Sequence, residues 1–264
     1  MGQLTRGQFD LINQRYEEGT ATPDDLEALE PYRAKRAVLV ASGFGSRMLP
    51  LTINTPKPLI RVKGRRIIET ILDALLAIDI TEIYVVVGYL AEEFELLKRD
   101  YPTITLLKNE QFATTNNISS AVVAKEHFEN AYVFESDLFL KNPKVLHKYS
   151  YESFYLGVPT ESTPDWCFDT DDAGYIADLH KGGTDCHHMY GVSYWTAEDG
   201  KKLASDLPSA FSKEENQQRF WDDVPCVICR ENYHVRVKPC TFQDIDEIDS
   251  LSELQAIDPA YVTN

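Results

Sequence analysis

Positive charge is what this sequence has least of. Its 264 residues carry 26 Lys and Arg against 42 Asp and Glu, a formal net charge of −16 with His neutral. A protein that covers a nucleic-acid backbone needs a basic face, so no nucleic-acid partner is expected. Long apolar runs are missing too. No stretch approaches the ~18 consecutive apolar residues of a spanning helix, so no membrane partner is expected either. The opening MGQLTRGQFDLINQRYEEG is too polar for a secretory signal, and Arg6 stands where N-myristoylation requires Ser or Thr. The five cysteines are few and odd in number, which points to reduced thiols in a cytoplasmic protein and not to a disulfide framework. Cys226 and Cys229 form a CxxC inside PCVICRENYHVRV, which reads as strand. There i and i+3 point to opposite faces, so buried thiols are expected and not half of a zinc site.

Two phosphate-binding signatures are also absent. No Gly-Lys-Ser/Thr closes a Walker loop. The dinucleotide fingerprint fails because Met48 stands three residues after Gly45, and Pro50 would break the helix it needs.

What is present alternates. Residues 1–34 read as two short helices set apart from the rest. Phe9, Ile12 and Tyr16 fall on one face after a Thr5 cap, and Thr22, Pro23 and two acids open the second. An acidic helix pair lacks the basic recognition helix of a DNA-binding motif. From residue 36, apolar strands (37–41, 82–88, 103–109, 131–137) alternate with helices (65–80, 91–101, 116–128). That spacing predicts an α/β domain with a mostly parallel sheet and right-handed crossovers. Gly43, Gly88 and Asp137 then lie at the carboxyl ends of strands, where such sheets bind ligands. After about residue 150 the pattern turns β-rich, and DIDEIDSLSELQAI closes with a helix.

The segment VLVASGFGSRMLPLTINTPKPLI, residues 38–60, carries the chemistry. Gly43 and Gly45 let the backbone approach an anion. Arg47 and Lys57 flank a turn that Pro50, Pro56 and Pro58 keep from becoming a helix, so both cations can face one polyphosphate. This segment resembles, nearly position for position, the signature loop of the nucleoside-triphosphate transferase family, which includes sugar-phosphate nucleotidylyltransferases and bacterial phosphocholine cytidylyltransferases.

The resemblance implies a Rossmann-like, nucleotide-diphospho-sugar transferase fold. Residues 35–150 would form a nucleotide half and 151–264 an acceptor half. It implies nucleotide contacts from Ala41, Ser42, Gly43, Phe44, Gly45 and Ser46, and catalytic roles for Arg47 on the triphosphate and Lys57 on the reacting phosphates. It also implies Mg²⁺ on Asp137. The tail DIDEIDSLSEL resembles phosphocholine cytidylyltransferases and implies that Glu247 and Asp249 complete the metal site. Their i, i+2 spacing on a strand would put both carboxylates on one face. Asp244 and Asp246, out of phase, read as solvated.

GYLAEEFELL and TTNNISSA are also similar to the choline-type group. They imply that Gly88, Tyr89, Asn116, Asn117 and Ser119 line the base and ribose pocket. TPDWCFD, GVSYW and RFWDDV imply acceptor contacts from Asp165, Trp166, Tyr194, Trp221 and Asp222. Aromatic faces attract a quaternary ammonium, while carboxylates suit a primary one, and the sequence offers both. The expected reaction is Mg²⁺-dependent transfer of CMP from CTP to a phosphocholine-type acceptor, with 2-aminoethylphosphonate as the alternative. A sugar-1-phosphate nucleotidylyltransferase and a catalytically silent nucleotide-binding regulator are the other readings. The silent regulator conflicts with the intact Arg47, Lys57 and Asp137. The N-terminal helices offer a surface for self-association, and enzymes of both acceptor types occur as modules of longer bifunctional chains.

Overall fold

Thr5 and Thr22 begin the first two helices of the computed structural model, which describes residues 3–262. Helix α1 (Arg6–Glu17) is closed by a capping box between Thr5 and Gln8, and α2 (Pro23–Leu29) by one between Thr22 and Asp25. Each cap satisfies backbone donors that a helix start leaves open. Arg15 pairs with Asp25 across the two helices. Phe9 packs on the edge of the stacked Tyr32–Tyr151 pair, with ring centroids 5.1 and 5.5 Å away, and anchors the helices to the domain.

Strand β1 (Arg36–Ala41) leads into the proline-bearing loop, followed by the short β2 (Arg61–Val62) and β3 (Arg65–Arg66) and helix α3 (Ile67–Ala77). Next come β4 (Glu82–Val87), α4 (Leu97–Asp100), β5 (Ile104–Lys108), α5 (Ile118–Val123), β6 (Ala131–Glu135) and β7 (Leu138–Leu140). Two long strands, β8 (Phe154–Thr170) and β9 (Ile176–Trp195), form an irregular hairpin with several register shifts. Helix α6 (Ala197–Phe211), β10 (Arg236–Pro239), β11 (Ile245–Glu247) and α7 (Leu251–Ile257) complete the chain.

Seven strands form one sheet in the order β10-β8-β9-β6-β1-β4-β5, in which β9 alone runs against the others. Its centre is buried on both faces, as parallel sheets require. Alternate residues of β1 serve the two cores: Ala37, Leu39 and Ala41 pack with α3, and Val38 packs with α5 and α6. A third cluster ties the loop and β2 to the C-terminus, with Met48, Ile60 and Val62 against Ile248 and Leu254. That packing brings residues some 200 positions apart to one rim.

The structure corrects several sequence expectations. Residues 91–101 are a short 3₁₀ segment plus the single turn of α4, and 116–128 break after Val123. The Cys226–Cys229 segment is no strand: residues Val224–Ile228 form a π-helical turn, and Cys226 is buried while Cys229 is half-buried. Asp244 and Asp246 are not simply solvated. Asp244 accepts from Asn142 Nδ2 at 2.7 Å and from Thr241, and Asp246 pairs with Lys141.

Candidate active site

Strands β1, β4 and β6 are adjacent and parallel, so the loops after them open on one rim. The loop after β1 is a chain of three 3₁₀ turns, Ser46–Met48, Leu51–Ile53 and Lys57–Leu59. Gly45 starts the first of these at φ +61°, a left-handed conformation that strains any residue with a Cβ. Thr52 Oγ1 donates to Gly45 O at 3.0 Å, and Tyr89 Oη donates to Thr52 O at 2.8 Å. The prolines and these bonds curve the loop around a cavity of about 390 Å³. Ala41, Ser42, Gly43, Phe44, Gly45 and Ser46 line it, together with Arg47, Lys57, Asn116 and Asn117.

Three residues expected in that pocket serve it from behind. Tyr89 braces the loop through its hydroxyl. Gly88 gives room to the Phe112 ring, which a Cβ there would meet at 2.6 Å, and it is Phe112 that lines the cavity. Ser119 is buried, accepts from Asn109 Nδ2 at 2.8 Å and donates to Asn116 O at 3.0 Å. Asn117 does line the cavity, yet its amide is engaged at both ends: Nδ2 donates to Glu135 Oε1 at 2.8 Å, and Oδ1 accepts from Trp221 N at 2.8 Å.

A second cavity of about 330 Å³ adjoins the first. Arg47, Glu135, Asp137, Phe220 and Asp249 border both, and Asp165, Trp166, Lys181, Asp222, Asp223 and Glu247 border the second. Two expected acceptor residues lie elsewhere. Trp221 is 2 % exposed and packs in the core against Phe128, Tyr155 and Trp195. Tyr194 faces a different cavity, near Tyr32 and Ser153, and stacks on Phe154. The aromatic that stands with Trp166 is Phe220, edge to face at 5.7 Å.

Asp137, Glu247 and Asp249 meet where the cavities join, each offering a carboxylate oxygen within 4.8 Å of the others. Pairing of β11 with β7 sets Glu247 opposite Leu138, and Ile248 N donates to Asp137 O at 3.1 Å. Asp249 lies just past the strand, so this pairing and turn bring the three together. Two cations face them. Lys57 Nζ lies 2.9 Å from Asp137 Oδ2 and 2.8 Å from Asp249 Oδ1, while Arg47 grips both oxygens of Asp249 at 2.9 and 2.8 Å.

Electrostatics follow from this crowding. Burial pushes Lys57 down, but Asp137 and Asp249 outweigh it and hold the ammonium above its ordinary range. Burial likewise pushes Asp249 up, and Lys57 and Arg47 reverse the sign, keeping it ionised. For Glu247 the pull of Lys57 is too weak: burial, then Asp137 and Asp249, push it up to about 9. Burial and the neighbouring Asp137, Asp222 and Glu247 also raise Glu135 well above the carboxylate range.

Asp137 Oδ1 is buried without a hydrogen-bond partner. Three convergent carboxylates, one with a spare oxygen lone pair, are the hard all-oxygen donor set that Mg²⁺ takes. The residues therefore fit a divalent cation. Sequence reasoning missed Glu135 and Phe112. The Glu135 signal was present, since it ends β6 two residues before Asp137, which follows in the turn to β7.

The sequence profile of the nucleotidyl transferase family matches residues 36–153. The chain is 40% identical over 234 residues to the 2-aminoethylphosphonate cytidylyltransferase of Lancefieldella rimae, covering 86% of this chain and 93% of the relative. It is 28% identical over 223 residues to the choline-phosphate cytidylyltransferase of Streptococcus pneumoniae, covering 84% and 96%. The solved structure of a CTP:phosphocholine cytidylyltransferase from Streptococcus pneumoniae superposes with a TM-score of 0.80 at 30% identity, over 87% of this chain and all of that one. The fold is thus that of the nucleotide-diphospho-sugar transferases, and with the loop, the paired cations and these relatives together, the chain is an enzyme that belongs to the nucleotidyl transferase family.

Proposed function

We propose that the enzyme transfers CMP from CTP to 2-aminoethylphosphonate and releases pyrophosphate, with Mg²⁺ held by Asp137, Glu247 and Asp249. The observation that carries this reading is the join of two unlike cavities at Arg47, Asp137 and Asp249. One is walled by a glycine-rich backbone with two cations, the other by carboxylates. A triphosphate suits the first. A small acceptor with an anionic head and a cationic tail suits the second, its head toward Lys57 and its tail toward Asp165, Asp222 and Asp223. The choice of cytosine rests on the relatives' names.

The acceptor's phosphonate oxygen is already anionic, so no general base is required. That oxygen attacks the α-phosphorus, a new P–O bond forms, and the bond from the α-phosphorus to the bridging oxygen of pyrophosphate breaks. Loop N–H groups and Arg47 bind the triphosphate, with Arg47 exchanging Asp249 for the leaving group. Lys57 offsets charge at the reacting phosphate. Mg²⁺, when bound, supplies further neutralisation of the triphosphate oxygens. On this reading, residues 35–150 form the nucleotide half and 151–264 the acceptor half, with 1–34 as an added helical pair.

The burial of Trp221 favours a primary over a quaternary ammonium. Several carboxylates around a lone indole accept hydrogen bonds from a primary ammonium better than they cage a trimethylammonium. The 40% relative supports the same choice. Phosphocholine is the second reading, carried by the Trp166–Phe220 pair. Pyrophosphate release from CTP and Mg²⁺ with 2-aminoethylphosphonate, phosphocholine, phosphoethanolamine and glucose 1-phosphate tests the choice. The expected order puts 2-aminoethylphosphonate first, and turnover of the sugar phosphate alone would overturn it.

A further inference from the structure

Asp222 presents a carboxylate to the acceptor cavity although the residue is only 4 % exposed. Such a group is costly to hold unless something fixes and satisfies it. Tyr155 does so. Its hydroxyl donates to Asp222 Oδ1 at 2.7 Å, and the residue itself is fully buried on β8. Phe168, Trp195 and Trp221 wall its ring at centroid distances of 5.2, 5.8 and 6.2 Å. The ring therefore cannot leave its rotamer without repacking the core. From the other side, Asn117 accepts from Trp221 N and fixes the backbone next to Asp222.

We propose that Tyr155, which borders neither cavity, is the positioning residue for the acceptor's ammonium end: its hydroxyl aims Asp222 as an oriented carboxylate at the cavity floor. This rests on the functional reading above. Lining positions alone would not single out Tyr155, because it touches no substrate.

The electrostatics around Asp222 agree. Burial pushes its carboxyl up, the Tyr155 hydroxyl and its own backbone N–H pull against that rise, and the balance stands at about 7. The other titratable groups that face it are Asp223 beside it, Cys226 in the following turn and Glu135 across the cavity. All three are acids, and the Tyr155 hydroxyl is the side-chain donor that opposes the rise and favours the ionised form of Asp222. Tyr155 is itself pushed well above the phenol range by burial and by Asp222, which keeps it a donor throughout.

The test compares Tyr155→Phe, Asp222→Asn and the double variant, with 2-aminoethylphosphonate and its amine-free analogue ethylphosphonate as acceptors. A charge-assisted hydrogen bond of the usual strength predicts a rise of roughly tenfold or more in KM for 2-aminoethylphosphonate in Tyr155→Phe. The KM for CTP should move less than twofold. Preference for the amine-bearing acceptor should fall by the same factor as the KM rises. The acidic limb of the acceptor KM profile should shift to higher pH. The double variant should be no worse than Asp222→Asn, since the two residues act as a unit. Equal changes in both KM values, or additive effects in the double variant, would overturn the proposal.

If Tyr155→Phe does not fold, Asp222→Asn leaves the ring in the core and must show the same acceptor-only loss. A wild-type enzyme with no preference for the amine would sink the functional reading instead. The Asp222 titration, followed by carboxylate infrared bands with and without the Tyr155 hydroxyl, would still decide the link between the two residues. An unchanged titration contradicts it.

Discussion

The Lys57 ammonium sits between Asp137 and Asp249, 2.9 Å from one carboxylate and 2.8 Å from the other. One side chain thus joins the proline-bearing loop, the end of β6 and the C-terminal segment, and it does so where the two cavities meet. If the two cavities take the triphosphate and the acceptor as proposed, these ion pairs hold Lys57 where the reacting phosphates would meet.

Replacing Lys57 with Ala should therefore lower kcat by roughly 10²–10³, the usual effect of removing one preorganised charge-stabilising group. Lys57→Arg should not restore it. Lys57 Nζ meets Asp137 and Asp249 as a single point at 2.9 and 2.8 Å, a position that the larger planar guanidinium on a different stem does not reproduce. Steady-state kinetics with an unchanged circular dichroism spectrum would check this, and full rescue by Arg would contradict it.

Gly45→Ala combines a left-handed φ of +61° with contacts at 3.0 Å to Lys57 and 3.1 Å to Thr52. Holding a residue with a Cβ in that region costs on the order of 1–3 kcal/mol. Denaturant unfolding should register a loss of that size, and the KM for CTP should rise because the loop backbone shifts. A variant with wild-type CTP binding would mean that this backbone does not hold the triphosphate.

Trp166→Ala and Trp221→Ala should separate cleanly. Trp221 is sunk among Phe128, Tyr155 and Trp195, and deletion of so large a buried side chain costs about 3–5 kcal/mol. Trp166 borders the acceptor cavity, so its loss should raise the acceptor KM severalfold with a smaller change in stability. Thermal melts and acceptor titrations on both variants would show the split.

Glu247 gives a pH dependence of unusual sign. Its folded value is raised to about 9 by burial and by Asp137 and Asp249, so across the range from the ordinary carboxylate value to about 9 the folded state binds the extra proton. Stability contributed by that proton is present at low pH and is lost as pH rises through this window. Without divalent cation the enzyme should lose stability between pH 5 and pH 9, and Glu247→Gln should flatten the slope. Mg²⁺ competes with the proton, so its apparent affinity should rise over the same window, with proton release measurable by calorimetry. A flat wild-type profile would contradict this assignment.

How much of this was legible depends on the range of the interactions. The parallel core and the loop cations could be read locally, because strand periodicity, Gly45, Arg47 and the prolines act within their own segment. The capped N-terminal helices were readable for the same reason. Trp221 and Tyr194 were not. Both sit in GxSYW- or FWDD-type stretches where a one-residue change of direction decides between core and cavity, and the irregular β8–β9 pairing and the turn at 220–228 set that direction. Phe112 was invisible because its position depends on filling the space above Gly88. The meeting of Asp137 with Glu247 and Asp249 was foreseen by resemblance, but its cause, pairing of β7 with β11, is a contact between distant segments that periodicity cannot show.

On the proposed function, Asp137 holds the cation on which CMP transfer depends. Mg²⁺-dependent pyrophosphate release from CTP and 2-aminoethylphosphonate, compared between wild type and Asp137→Ala, tests it most directly. The wild type should turn over, and a variant that keeps its fold should fall by about three orders of magnitude or more, as expected when a metal's charge stabilisation is lost. Full activity of Asp137→Ala with Mg²⁺ would contradict the site, and with it the reading of how the two cavities work together.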